Sequence, residues 1–182
     1  MYLTLDLGTT MKILLTEDEL RRGIERIAGE IREYYQGRPL TIVAVLKGSV
    51  VLMSDLIRLL DMPLRIEIVR ASSYRDSTRP GELKLKLDML PSELKDREVL
   101  LVDDIFDTGY TLAEVLSQLA RRHPAGLRSA VLLRKEGRCE VDVEPDFVGF
   151  DIPDRFVVGY GLDYQEMYRN LPHVAYLETE DL

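Results

Sequence analysis

The chain has 182 residues, 46% of them hydrophobic and 31% charged, with a formal net charge of −8. That length supports one domain with a substantial core, 1–182, and the acidic balance without any basic stretch argues against a nucleic-acid partner. The lone Cys139 excludes an internal disulfide framework and fits a reducing cytoplasm, while the absence of a long apolar run or a basic leader excludes a membrane span and a signal peptide.

Residues 1–11 read as an extension ahead of the domain, with Met11 as an alternative start. Within them, Asp6-Leu7-Gly8-Thr9-Thr10 resembles the phosphate loop of sugar kinases, but that architecture needs two large lobes and this chain is too short for them. A helix start follows. Thr16 and Glu19 form a capping box, Leu15 and Leu20 stand at staple spacing, and Leu20, Ile24, Ile27, Ile31 and Tyr34 mark one apolar face. Residues 41–46 predict a buried strand, then Lys47-Gly48-Ser49 and an apolar helix over 50–60. Leu64, Ile66 and Ile68, and later Leu83, Leu85 and Leu87, alternate with polar residues as half-exposed strands do. Between them residues 71–81 are polar and aperiodic. Such a loop inside a compact domain predicts either a plain hairpin connection or a mobile lid.

The most informative stretch comes next. Val99-Leu100-Leu101-Val102 reads as a buried strand, followed by Asp103, Asp104 and Asp107 and then by the small Thr108-Gly109-Tyr110-Thr111 turn. Leu112, Val115, Leu116 and Leu119 then recur at helical spacing, with Thr111 placed to cap the helix. A strand, a small hydroxyl- and glycine-rich loop and a helix start together make a phosphate cradle of backbone N–H groups. A ligand that suits both the cradle and a carboxylate pair carries a phosphate and vicinal hydroxyls, as ribose 5-phosphate does.

Residues 129–133 predict a further strand, and 147–150, 156–160 and 174–177 shorter ones. Strands alternating with helices predict an α/β domain with a mainly parallel central sheet flanked by helices. Ligands of such sheets bind beyond the carboxyl ends of the strands. Lys47-Gly48, Asp103-Asp104 and Arg134-Lys135 all fall at such ends.

On these residues the chain resembles the type I phosphoribosyltransferases. Residues 103–112 look like their phosphoribosyl pyrophosphate (PRPP) signature, hydrophobic strand included. Residues 132–135, 145–164 and 168–174 are similar to the base pocket of the hypoxanthine-guanine branch, so the resemblance spans about 40–177. It implies the type I fold, with a small hood that binds the base, and a purine-salvage activity joining hypoxanthine or guanine to PRPP. Xanthine or another base is the alternative substrate. A nucleotide-sensing regulator is the alternative class, disfavoured because Asp107 is replaced in the family's regulators.

The resemblance also implies roles. Asp103 and Asp104 engage the ribose hydroxyls, directly or through Mg²⁺, and with Asp163 they make the metal set. Asp107 is the catalytic acid/base, and Thr108, Gly109, Tyr110 and Thr111 join it around the phosphate, Tyr110 in a position that varies among relatives. Lys47, Gly48, Ser73, Tyr74 and Arg169 take pyrophosphate; Lys47-Gly48 alone would be only a turn, and in relatives this loop often carries a non-proline cis peptide. Residues 71–82 act as the mobile active-site loop. Residues 135–177 bind the purine. There Lys135 donates to the 6-oxygen, Phe156 stacks unless it is simply a core aromatic, Val157 meets the ring edge by its backbone and Asp163 adjoins. Arg155 stands where relatives often have lysine. Relatives imply a homodimer or homotetramer that takes small-molecule substrates in the cytoplasm.

Overall fold

The computed structural model describes residues 2–4, 10–75, 83–88 and 93–177. In chain order the elements are β1 (Tyr2–Thr4), β2 (Thr10–Leu15), α1 (Glu17–Tyr35), β3 (Leu40–Leu46), α2 (Val50–Leu59), β4 (Leu64–Arg75) and β5 (Leu83–Asp88). They continue with β6 (Glu98–Phe106), α3 (Tyr110–Ala120), β7 (Gly126–Lys135), β8 (Phe147–Ile152), β9 (Val157–Val158) and β10 (Val174–Leu177). The main sheet has the order β5-β4-β3-β6-β7-β8. All its neighbours pair in parallel except the edge strand β5, which runs antiparallel to β4.

Strand alternation assigns the two faces. Ile42, Leu100, Val102, Ala130 and Leu132 pack with α1 and α2 on one side. Val43, Val45, Leu101 and Val131 pack with Leu112, Val115 and Leu119 of α3 on the other. Because both faces are covered, the central strands read as unbroken apolar runs. The capping box of α1 is formed: Glu19 N–H donates to Thr16 Oγ1 at 3.3 Å, and Thr16 N–H donates to Glu19 Oε2 at 2.8 Å.

Several boundaries differ from the sequence reading. The apolar face of α1 ends on Tyr35, which is fully buried, and Tyr34 is 41% exposed. The Tyr34 hydroxyl instead accepts from Arg128 Nε at 2.9 Å, a contact available only at the surface. Residues 71–75, expected to be irregular, prolong β4 and pair with β5 from Ala71↔Leu87 to Arg75↔Leu83. An edge ladder needs only backbone groups, so polar side chains do not interrupt it. The rest of the anticipated loop, 76–82, lies outside the described residues.

Thr10 and Met11, assigned to an extension, belong to β2. A second sheet of order β1-β2-β10-β9 ties this strand to the C-terminal part of the chain. Met11 is 2% exposed and packs with Val158, Ala175 and Leu177. Its burial stabilises the hood that carries β9. The kinase-like motif at 6–9 lies outside the described residues.

Where β8 meets β7 and α1 there is no space for a side chain on Gly149. A Cβ there would lie 2.4 Å from the Leu132 carbonyl oxygen and 3.1 Å from Ile27. Backbone cannot yield as a side chain does, so Gly149→Ala is expected to destabilise the fold by about 1–3 kcal/mol. A urea unfolding midpoint unchanged from the parent would refute this packing argument.

Candidate active site

β6 runs on through both carboxylates to Phe106, so Asp103 and Asp104 sit within the last residues of a central strand rather than beyond it. Asp103 is 5% exposed. Its Oδ1 accepts from the Asp104 N–H at 3.0 Å, and Asp104 Oδ1 accepts from the Ile105 N–H at 3.0 Å. Burial pushes both carboxyls above the usual carboxylate range, and the Asp104 charge pushes Asp103 further. Their ionised forms are thus disfavoured until a cation or hydroxyl donors face them.

The phosphate turn follows. Gly109, in the left-handed region at φ 88°, is the N-cap of α3. Thr111 therefore lies inside the first turn and does not cap it, contrary to the sequence reading; no side chain caps this helix. The first N–H groups of α3 have no intrahelical acceptor, and Thr108, Gly109, Thr111 and Leu112 line a cavity of about 320 Å³. Tyr110 is 46% exposed and is not part of that lining.

Lys47 and Gly48 close the opposite side of this cavity, after a cis peptide bond between Leu46 and Lys47. Close approach dictates the glycine. A Cβ on Gly48 would fall 1.6 Å from Asp104 Oδ2, and one on Gly161 (φ 101°) would fall 2.1 Å from the Gly48 carbonyl oxygen. Arg169 completes the wall, with Nη1 donating to the Gly161 carbonyl at 2.7 Å and Nε buried without an acceptor. The backbone of Ser73 and Tyr74 lies in β4; their side chains lie outside what the structure describes.

A second cavity, of about 230 Å³, adjoins the first. Asp107, Lys135, Phe156, Val157 and Asp163 line it. Phe156 is 41% exposed and meets Tyr164 edge-on, with centroids 5.6 Å apart, so it is no core aromatic. Lys135 Nζ lies 3.0 Å from Asp107 Oδ2 and 3.4 Å from Asp154 Oδ1, and Arg138 Nε lies 3.0 Å from Asp107 Oδ1. Burial raises the Asp107 carboxyl, but the Arg138 and Lys135 hydrogen bonds outweigh it and hold the group below the usual carboxylate range.

The expected metal set does not assemble as one cluster. Among the described residues no three or more carboxylate, histidine or cysteine groups converge on a cation site. Asp163 is engaged elsewhere: Oδ1 pairs with Arg169 Nη2 at 2.6 Å, and Oδ2 accepts from the Glu166 N–H at 2.9 Å.

Residues 11–165 match the family model of the phosphoribosyl transferase domain. The chain belongs to the phosphoribosyltransferase family. A hypoxanthine-guanine phosphoribosyltransferase of Staphylococcus aureus (strain N315) is 41% identical over 170 residues, covering 93% of this chain and 94% of that one. Another, from Aquifex aeolicus (strain VF5), is 40% identical over 173 residues, covering 94% and 97%. The crystal structure of a hypoxanthine-guanine phosphoribosyltransferase from Bacillus anthracis matches this phosphoribosyltransferase with a TM-score of 0.84 at 37% identity. It covers 92% of this chain and 98% of that one.

The sequence reading assigned no role to Arg138, Asp154, Gly161 or Glu166. A glycine pair around Tyr160 was a signal for the Gly161 approach. The other three carry none, because an isolated charge in a polar loop looks like any solvated residue.

Proposed function

We propose that this phosphoribosyltransferase is a purine-salvage enzyme, transferring the 5-phosphoribosyl group of PRPP to hypoxanthine or guanine and yielding IMP or GMP and pyrophosphate. One observation carries the reading: the phosphate cavity and the Lys135–Phe156 pocket share Asp104, Ile105 and Asp107 as walls. A nucleotide with its 5′-phosphate on the α3 N-terminus and its base against Phe156 therefore lays its ribose across Asp103 and Asp104. Thr108, Gly109 and Thr111 take the 5′-phosphate, while Lys47, Gly48 and Arg169 take pyrophosphate.

The donor set suits Mg²⁺. Two adjacent buried carboxyls whose ionised form a cation would favour, with no closed cage among the described residues, fit an ion that is bound by one or two carboxylates and by substrate oxygens. When bound, it neutralises charge on the departing pyrophosphate. We assign this role to Asp103 and Asp104. Asp163, with both oxygens engaged, we assign to orienting Arg169.

In the base pocket, Phe156 stacks on the ring and the Val157 backbone meets its edge. The Lys135 ammonium has donors only, so it favours a 6-oxo over a 6-amino purine. Asp107, held ionised by Arg138 and Lys135, accepts the proton released from the imidazole as the ribosyl bond forms. Assembly as a homodimer or homotetramer and residence in the cytoplasm belong to the same reading. Among the described residues no helix is long and apolar enough to cross a membrane.

The test is a substrate panel of hypoxanthine, guanine, xanthine, adenine and uracil with PRPP, run on the parent and on Lys135→Ala. The parent should use 6-oxopurines. Losing a charged hydrogen bond costs about 1.5–3 kcal/mol, so Lys135→Ala should lower purine kcat/KM roughly 10–150-fold. PRPP affinity by calorimetry should stay within a few-fold. Equal weakening of PRPP and purine would move Lys135 to the phosphate site and remove the physical basis for 6-oxo selectivity.

A further inference from the structure

One carboxylate at the pyrophosphate wall plays no part in the chemistry above. Glu166 Oε2 lies 2.6 Å from Lys47 Nζ, and its Oε1 lies 3.8 Å from Arg169 Nη2. It stands between the two cations assigned to pyrophosphate. The turn that places it is built for the purpose. Gln165, Glu166 and Tyr168 all have positive φ, at 51°, 64° and 75°, a conformation that non-glycine residues adopt at a cost. Asp163 Oδ2 holds the Glu166 N–H at 2.9 Å, and Tyr164 and Met167 exchange backbone hydrogen bonds at 3.2 and 3.0 Å. The turn thus carries an acid across 119 residues of sequence to Lys47.

We propose that Glu166 is an internal competitor for the pyrophosphate subsite: its carboxylate pairs with Lys47 and Arg169 in the resting enzyme, yields to PRPP, and returns as pyrophosphate leaves. This rests on the assignment of Lys47 and Arg169 to pyrophosphate. The exposure of the pair makes the exchange easy. The side chains of Lys47 and Glu166 are 54% and 67% exposed, and an ion pair so exposed is weak. A diphosphate with several charges displaces it readily, yet a tethered carboxylate is always on hand to refill the cations. Product release limits turnover in many enzymes, and a resident competitor speeds it. The same acid keeps two cations from drawing in every passing anion.

The alternative is that Glu166 merely holds Lys47 and Arg169 in place for the substrate. The two roles give opposite signs. On our reading Glu166→Gln keeps the shape, removes the competing charge, and binds inorganic pyrophosphate about three- to tenfold tighter by calorimetry in the presence of Mg²⁺. The KM for PRPP should fall by a similar factor, product inhibition by pyrophosphate should strengthen, and the KM for hypoxanthine should stay put. Glu166→Ala should behave likewise. Unchanged or weaker pyrophosphate binding in both variants would overturn the proposal. Lys47→Ala and Arg169→Gln, measured in parallel, separate it from the assignment beneath. If they weaken pyrophosphate while the Glu166 variants do not tighten it, only the competitor role fails; if they bind it like the parent, the subsite assignment and the competitor role fall together.

Discussion

Asp107→Asn is expected to lower kcat by about 10²–10⁴-fold, the usual range for removing a positioned acid–base group, while PRPP affinity changes by no more than a few-fold. The substitution keeps the shape and removes the charge. Asp107 has one oxygen on Lys135 Nζ and the other on Arg138 Nε, both at 3.0 Å. Burial raises its carboxyl, but these two partners lower it by more, so the folded value is depressed. A depressed carboxyl is ionised throughout the neutral range and loses its charge only on acidification, so at neutral pH it stands ready to accept a proton. As C–N bond formation drains electron density from the imidazole, its N–H grows acidic enough for even a weak base. The pairing adds a second effect: without the charge, Asp154 at 3.4 Å is the ion-pair partner left to Lys135 among the described residues. The KM for the purine should therefore rise several-fold alongside the fall in kcat. Steady-state kinetics and calorimetry separate the two effects. A kcat near the parent's would leave Asp107 as an anchor for Lys135 and Arg138 rather than a proton acceptor.

The sheet and the strand–turn–helix unit around Asp103 to Leu112 were legible because their signals are local. An apolar run into Asp103-Asp104 and a Thr-Gly-Tyr-Thr turn needs only neighbours in sequence to mean strand, loop and helix start. The misreadings arose where the deciding contact is distant. Tyr34 and Tyr35 are adjacent on α1, and only the strand beneath chooses between them; there the Tyr35 hydroxyl donates to the Val99 carbonyl at 3.3 Å. Met11 looks like the end of a tail until β10 pairs with it. The extension of β4 through 75 depends on β5, not on side-chain alternation. Thr111 has the chemistry of a cap, but the left-handed Gly109 starts the helix first. The pairing of Asp163 with Arg169 depends on the turn at 163–167 in the same way. The roles of Glu166, Arg138 and Asp154 are invisible in sequence for the same reason. Each depends on loops that meet across the mouth of the sheet.

Removing divalent metal should have the largest effect of all. In excess EDTA, turnover is expected to fall by at least about 10³-fold, since metal neutralisation of a departing pyrophosphate is worth several kcal/mol, and Mg²⁺ should restore it. The argument starts from the strand. β6 delivers two adjacent carboxylates to the floor of a cavity whose ligand is itself a polyanion. Burial and mutual repulsion already push the Asp103 carboxyl well up, so facing further negative charge without a counterion would be worse still. The Arg169 charge lowers the Asp104 carboxyl, but burial outweighs it and the group stays raised. Metal depletion should therefore weaken PRPP binding in calorimetry as well as turnover, whereas the base pocket should respond little if, as proposed, Lys135 and Phe156 hold the purine. Asp103→Asn with Asp104→Asn should blunt the metal dependence. Undiminished turnover and PRPP binding in EDTA would restrict both aspartates to hydrogen bonds with the ribose hydroxyls.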